Sequence, residues 1–162
     1  MVALAGGPAK VDLVRSLATP GTSAQLTAID YTTAGWLDVA RAATTTAGRD
    51  GATLVVDGVA GQLGADAASL LAASGRLLMI GWSSGQPNAA ARPDAASAVD
   101  VTWAVGPDAP PWGDLFTLQE RALALAADGT WRVLTHQVPL AEAARAHREL
   151  ESRATSGKVV LV

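Results

Sequence analysis

Leu54-Val55-Val56-Asp57-Gly58-Val59-Ala60-Gly61 is the stretch whose reading decides the fold. A short apolar run goes straight into a glycine turn. Gly75-Arg76-Leu77-Leu78-Met79-Ile80-Gly81-Trp82-Ser83-Ser84-Gly85 repeats the pattern, and the chain closes on Thr155-Ser156-Gly157-Lys158-Val159-Val160-Leu161-Val162. Continuous apolar runs of this length suit parallel strands covered on both faces. In an open α/β sheet, ligands bind beyond the carboxyl ends of such strands, where glycine lets them approach the backbone. The first two stretches therefore read as two mouths of a cofactor crevice. No G-x-G-x-x-G accompanies them anywhere in the chain.

Working outward, residues 2–5 form a short strand ending at Gly6-Gly7. Pro8 suits the first position of a helix, which carries Val11, Leu13, Val14 and Leu17 on one face. Residues 19–23 are a loop and 26–31 a second strand. The pattern predicts a helix over 33–47 with Trp36, Leu37, Val39 and Ala40 inward, a strand over 53–56, and a helix over 62–73 ended by Gly75. Strands follow over 77–80 and, at an edge, 99–105. Residues 83–98 and 107–113 are irregular. A helix over 115–127 places Leu115, Leu118, Ala122 and Leu125 on one stripe. A strand over 133–138, a helix over 140–152 and a strand over 158–162 complete the reading. Alternation of strand and helix through about residue 105 argues for right-handed crossovers and a mainly parallel sheet.

Composition narrows the function classes. With 49% hydrophobic and 17% charged residues in 162, the chain can bury a core and is not of the disordered class. A net charge of -3 gives no electrostatic footprint for nucleic acid. No cysteine is present, which excludes disulfides, thiolate metal sites and a cysteine nucleophile, and fits a cytoplasmic setting. No apolar run approaches the ~20 residues that span a bilayer, so no membrane role is expected. His136 and His147 stand without a ligand cluster, and no metal is expected. Glu142, Arg145, Glu149 and Arg153 fall at helical spacing and read as surface ion pairs.

Gly81-Trp82-Ser83-Ser84-Gly85 also satisfies G-x-S-x-G, the nucleophile elbow of α/β-hydrolases. An esterase would use Ser83 with Asp100 or Asp108 and then His136 or His147. That motif needs a helix immediately after the serine, and Gln86-Pro87-Asn88 is poor material for one.

Taken in order, several segments resemble one family. Ala5-Gly6-Gly7-Pro8-Ala9-Lys10, Ile29-Asp30-Tyr31, residues 55–61, residues 75–85, Pro139-Leu140-Ala141-Glu142-Ala143-Ala144-Arg145-Ala146-His147 and Gly157-Lys158-Val159-Val160 are similar to the C-terminal half of the zinc-independent medium-chain dehydrogenase/reductases, in the NADPH:quinone oxidoreductase branch. The resemblance implies an α/β fold: a partial Rossmann-type parallel sheet of roughly five strands, without the first strand and its glycine-rich turn, plus C-terminal remnants of the catalytic domain. It places a partial dinucleotide-binding domain at 1–106 and C-terminal helices and strands of the reductase fold at 107–162.

What the resemblance implies about function is hydride transfer from NADPH to a quinone, or to an enone or aldehyde. Lys10 and Tyr31 would grip the adenosine 2′-phosphate, with Gly6 and Gly7 leaving room for the ribose. Val59, Ala60 and Gly61 would line the nicotinamide-side ribose. Gly81, Trp82, Ser83 and Ser84 would sit beside the ring, and Lys158 would approach the crevice. No catalytic residue is assigned. The chain is expected to be a truncated form. The competing expectation is a non-catalytic remnant or interaction module, with a homodimer through the edge strand 99–105 and Trp103.

Overall fold

The computed structural model describes residues 1–18, 25–45, 50–91, 99–104, 106, 109 and 113–162. The loop expected at 19–23, the end of the helix expected to reach 47, and Val105, Asp108 and Trp112 fall outside these residues. The chain divides into two compact units, Met1–Pro111 and Trp112–Val162.

The first unit begins with β1 (Val2–Ala5), α1 (Pro8–Ser16) and β2 (Thr27–Asp30), and β1 and β2 pair in parallel. Pro8 stands in the first turn of α1, where its missing N–H costs nothing. Ala5, Val11 and Ala28 bury one face of this pair against α1. α2 (Trp36–Thr44) follows, and Ala40 on it joins Ile29 and Leu70 in a second cluster on which Val2, Leu4, Trp36 and Leu37 pack. Val39 does not turn inward as expected but is 56% exposed.

β3 (Ala52–Asp57), α3 (Gly61–Ala68), β4 (Leu71–Met79) and β5 (Asp100–Trp103) build a parallel three-stranded sheet in the order β3-β4-β5. Its core is Ala60, Ala68, Leu77 and Met79. Here the structure corrects the sequence reading: α3 stops at Ala68, and Gly75 lies inside β4 rather than ending a helix. Sheet pairing overrides the helix propensity of Ala72 and Ala73. Ala52 N–H donates to Leu70 C=O at 2.7 Å, and the register shifts between Ala52 and Leu54, so extra residues of β4 bulge past β3. A Cβ on Gly75 would meet Ala52 C=O at 2.7 Å, so only glycine permits this crossing.

The second unit contains α4 (Leu115–Ala127), β6 (Thr135–Val138), a short 3-10 turn (Leu140–Glu142), α5 (Ala143–Glu151) and β7 (Lys158–Leu161), with β6 and β7 parallel. α4 starts where Asp114 caps it, its carboxylate accepting from Phe116 N–H at 3.0 Å and Thr117 O–H at 2.9 Å. No residue of α4 is buried; of its apolar stripe Leu115 and Leu118 are exposed, and Ala122 and Leu125 are half-buried. Val138 and Ala146 are buried in this unit. Among the described residues, no helix is long and apolar enough to cross a membrane.

Candidate functional site

The site grows from the carboxyl ends of β3 and β4. Asp57, the last residue of β3, is buried, and both of its oxygens accept hydrogen bonds. Oδ1 accepts from Val59 N–H at 2.8 Å and Ala60 N–H at 2.9 Å, while Oδ2 accepts from Asn88 Nδ2 at 2.8 Å. Asn88 in turn accepts from Ala90 N–H through Oδ1 at 2.9 Å. A carboxylate out of water is tolerated only when donors surround it, and these do so. Asp57 thus folds the turn over residues 58–61 back on itself, and Gly64 lets α3 approach, since a Cβ there would strike Asp57 Oδ2 and Asn88 Nδ2.

The second mouth is tied to the first. Ser83 N–H donates to Gly58 C=O at 3.1 Å, Ser84 N–H to Val59 C=O at 2.9 Å, and Gly61 N–H to Gln86 C=O at 3.0 Å. Val59, Ala60, Gly61, Ser83 and Ser84 therefore form one laced surface, with Gly81 lying against Gly58. Ser84 Oγ donates to Gln86 C=O at 3.1 Å, so its hydroxyl already serves the loop. Ala60 is held at φ 58°, ψ -154°, a region that side chains rarely occupy and that costs about 1–3 kcal/mol. Trp82 is 59% exposed and meets Trp103 edge to face, with ring centroids 5.8 Å apart.

A second cluster sits at the ends of β1 and β2. Tyr31 follows β2, its N–H donates to Ala5 C=O at 3.1 Å, and its phenol lies over Gly6, where a Cβ would meet the oxygen at 2.5 Å. Gly7 precedes α1, and Lys10 is in that helix's first turn. Asp30 Oδ1 accepts from Gly7 N–H at 2.9 Å, Thr32 N–H at 2.9 Å and Thr32 O–H at 2.7 Å. These bonds, the Thr32 hydroxyl foremost, hold the Asp30 carboxyl below the usual aspartate range. A carboxylate thus stands at the head of α1, beside the residues expected to take a phosphate. Asp57, Asn88 and Asp30 were missed in the sequence as organisers; for Asp57 the signal was an aspartate ending an apolar strand just before a glycine turn.

Lys158 opens β7 in the second unit, with its N–H donating to Leu134 C=O at 2.7 Å. In that unit His136 Nε2 lies 3.0 Å from Glu149 Oε2, and Arg145 binds both Glu142 and Glu149, at 2.6 and 2.7 Å. Arg145 first and His136 second lower the Glu149 carboxyl. The expected helical pairs at Glu142, Arg145 and Glu149 are therefore present. After Ser83 the chain makes a turn and then a 3-10 turn (Ala89–Ala91), not the helix a nucleophile elbow requires.

The chain has no cysteine, and among the described residues no three His, Asp or Glu side chains form a metal-holding group. Close-set glycine turns cap the successive parallel strands β3 and β4.

Residues 24–161 match the family model described as zinc-binding dehydrogenase. No curated protein matches the sequence. Among solved structures, the chain is similar to an NAD-dependent alcohol dehydrogenase (25% identity, TM-score 0.72), with 99% of this chain covering 43% of that one. It is similar to a mycobacterial quinone oxidoreductase (27% identity, TM-score 0.62), covering 99% of this chain and 48% of that one. A quinone oxidoreductase of Pseudomonas syringae pv. tomato DC3000 shares the fold (23% identity, TM-score 0.73), again with 99% and 48% covered. The chain spans less than half the length of these structures. With the parallel sheets, the laced strand ends and the family match together, this chain belongs to the zinc-binding dehydrogenase family of medium-chain dehydrogenase/reductases.

Proposed function

We propose that the first unit holds the nicotinamide end of a dinucleotide on the surface made by Val59, Ala60, Gly61, Gly81, Trp82, Ser83 and Ser84. In this reading the protein serves hydride transfer from NADPH to a quinone, enone or aldehyde. The observation that carries it is the lacing of the two glycine-rich turns at the ends of β3 and β4. The bound cofactor would supply the hydride. The residues here would orient it: Ala60 and Gly61 bring backbone close, and Trp82 offers an exposed ring face. Lys10 would place a cation by the 2′-phosphate and Tyr31, whose phenol covers Gly6, would pack beside it, while Gly7 keeps that end open. Asp30 works against a phosphate at the head of α1 and in favour of a ribose hydroxyl, so the choice between NADPH and NADH turns on Lys10 against Asp30.

Titration with NADPH and NADH, followed by tryptophan fluorescence, tests the reading. Saturable quenching in the micromolar range is expected, lost in Trp82→Phe and weakened in Lys10→Ala. A folded chain with no response up to millimolar cofactor would overturn it. The β5 edge favours a second role in self-association, since among the described residues β5 pairs only with β4. A concentration-independent monomer in sedimentation would remove that role.

A further inference from the structure

Asn88 is 2% exposed, although it lies in the loop after β4, just before the 3-10 turn Ala89–Ala91. A primary amide is costly to bury unless its donors and acceptor are used. Here Nδ2 donates to Asp57 Oδ2 at 2.8 Å and to Met79 Sδ at 3.9 Å, and Oδ1 accepts from Ala90 N–H at 2.9 Å. Asp57 ends β3 and Met79 ends β4. One side chain thereby joins two strand ends to the loop that follows them. Packing alone does not call for an amide here, since replacing a buried hydrogen-bonded pair by apolar groups of the same shape is often neutral. The amide is required by the groups it ties together.

Those groups are the two glycine turns. Asp57 Oδ1 holds the N–H groups of Val59 and Ala60, and Ala60 keeps a backbone conformation that persists only where its surroundings impose it. On the other side, Asn88 stands two residues after Gln86, whose C=O accepts from Gly61 N–H. The Asn88–Asp57 bond is buried and made to a carboxylate, the setting in which a hydrogen bond is strongest. We propose that Asn88 is a positioning residue: through Asp57 it fixes the turn over residues 58–61 against the loop over residues 81–88. It thereby sets the spacing of Ala60 and Gly61 from Trp82, Ser83 and Ser84. The consequence for cofactor affinity rests on the dinucleotide reading above; the positioning itself does not.

The test swaps the two side chains. Asn88→Asp sets two carboxylates face to face and Asp57→Asn sets two amide groups face to face, so each single variant loses the bond across the pair. The double variant Asp57→Asn/Asn88→Asp reverses donor and acceptor, and keeps an oxygen for each of the N–H groups of Val59, Ala60 and Ala90. Amide hydrogen exchange of the 162-residue chain reads the two turns, and NADPH titration by tryptophan fluorescence reads the surface they make. Each single variant should speed exchange at the Gly61, Ser83 and Ser84 amides by about ten-fold, and by more than at Leu77 and Leu78 in β4. It should weaken NADPH binding by about ten-fold as well. The double variant should bring both readouts back to within about three-fold of the unmodified chain. A role in stability alone would speed the β4 amides at least as much as those of the turns. Asp57→Asn, isosteric and uncharged, carries the test if Asn88→Asp does not fold. Turn amides that exchange no faster in the single variants, or a double variant no better than the singles, would overturn the proposal. An unmodified chain that ignores NADPH while its variants show the exchange pattern would support the positioning and overturn the dinucleotide reading.

Discussion

β3 and β4 are paired strands, each with an apolar run, whose large apolar side chains are buried to different extents. Leu77 and Met79 on β4 are fully buried, whereas Leu54 and Val56 on β3 are half exposed. Among the described residues, β4 has a hydrogen-bonded strand on each side and β3 has one. The difference teaches that an apolar run records the place a strand is suited to, while burial records which neighbours are present.

The sharpest way to break this comparison is truncation of matched residues. Leu77→Ala should cost about 3 kcal/mol in denaturant unfolding, as a fully enclosed side chain leaves a cavity. Leu54→Ala should cost under about 1 kcal/mol, since its side chain is already in water. Equal losses would mean that β3 is covered in solution. Gly64→Ala comes next, at about 2 kcal/mol, because its methyl would press on the buried Asp57–Asn88 pair that shapes the turn after β3. Ala60→Gly should instead stabilise by about 1 kcal/mol by relieving the strained backbone of that turn, and a thermal melt would show it.

The smallest effect is expected on the other half of the sheet, at Asp30. Its carboxyl is lowered in the folded state, so its contribution is present above the unfolded aspartate pKa and is lost as pH falls through the folded value. Asp30→Asn should flatten that acid limb of the stability profile by lowering stability slightly at neutral pH while leaving low pH nearly unchanged. An unaltered limb would mean that the three hydrogen bonds to Asp30 carry no net stability.

Much of the fold was legible in the sequence. The strands came from continuous apolar runs, and α4 was read to the residue because Leu115–Ala127 keeps a clear helical period between turn signals. What was not legible came from long-range pairing. Ala72, Ala73 and Gly75 read locally as a helix end, and only the backbone of Ala52, about twenty residues away in sequence, makes them strand. At the site, the glycine turns could be read, but the lacing between residues 58–61 and 83–86 could not, because main-chain hydrogen bonds leave no mark on residue identity. Asp57 was visible only as a family-like aspartate; its role needs Asn88, which lies in a stretch read as irregular.

The Trp82–Trp103 contact makes the chain its own optical reporter. Two indoles 5.8 Å apart and inclined by 77° couple their electronic transitions, and such a chiral pair produces an exciton couplet in the far-ultraviolet circular dichroism. Trp82 follows β4 and Trp103 ends β5, so the couplet reads the join between those two strands alone. Its loss on heating, timed against the helical signal, would date the opening of that edge without any label being attached.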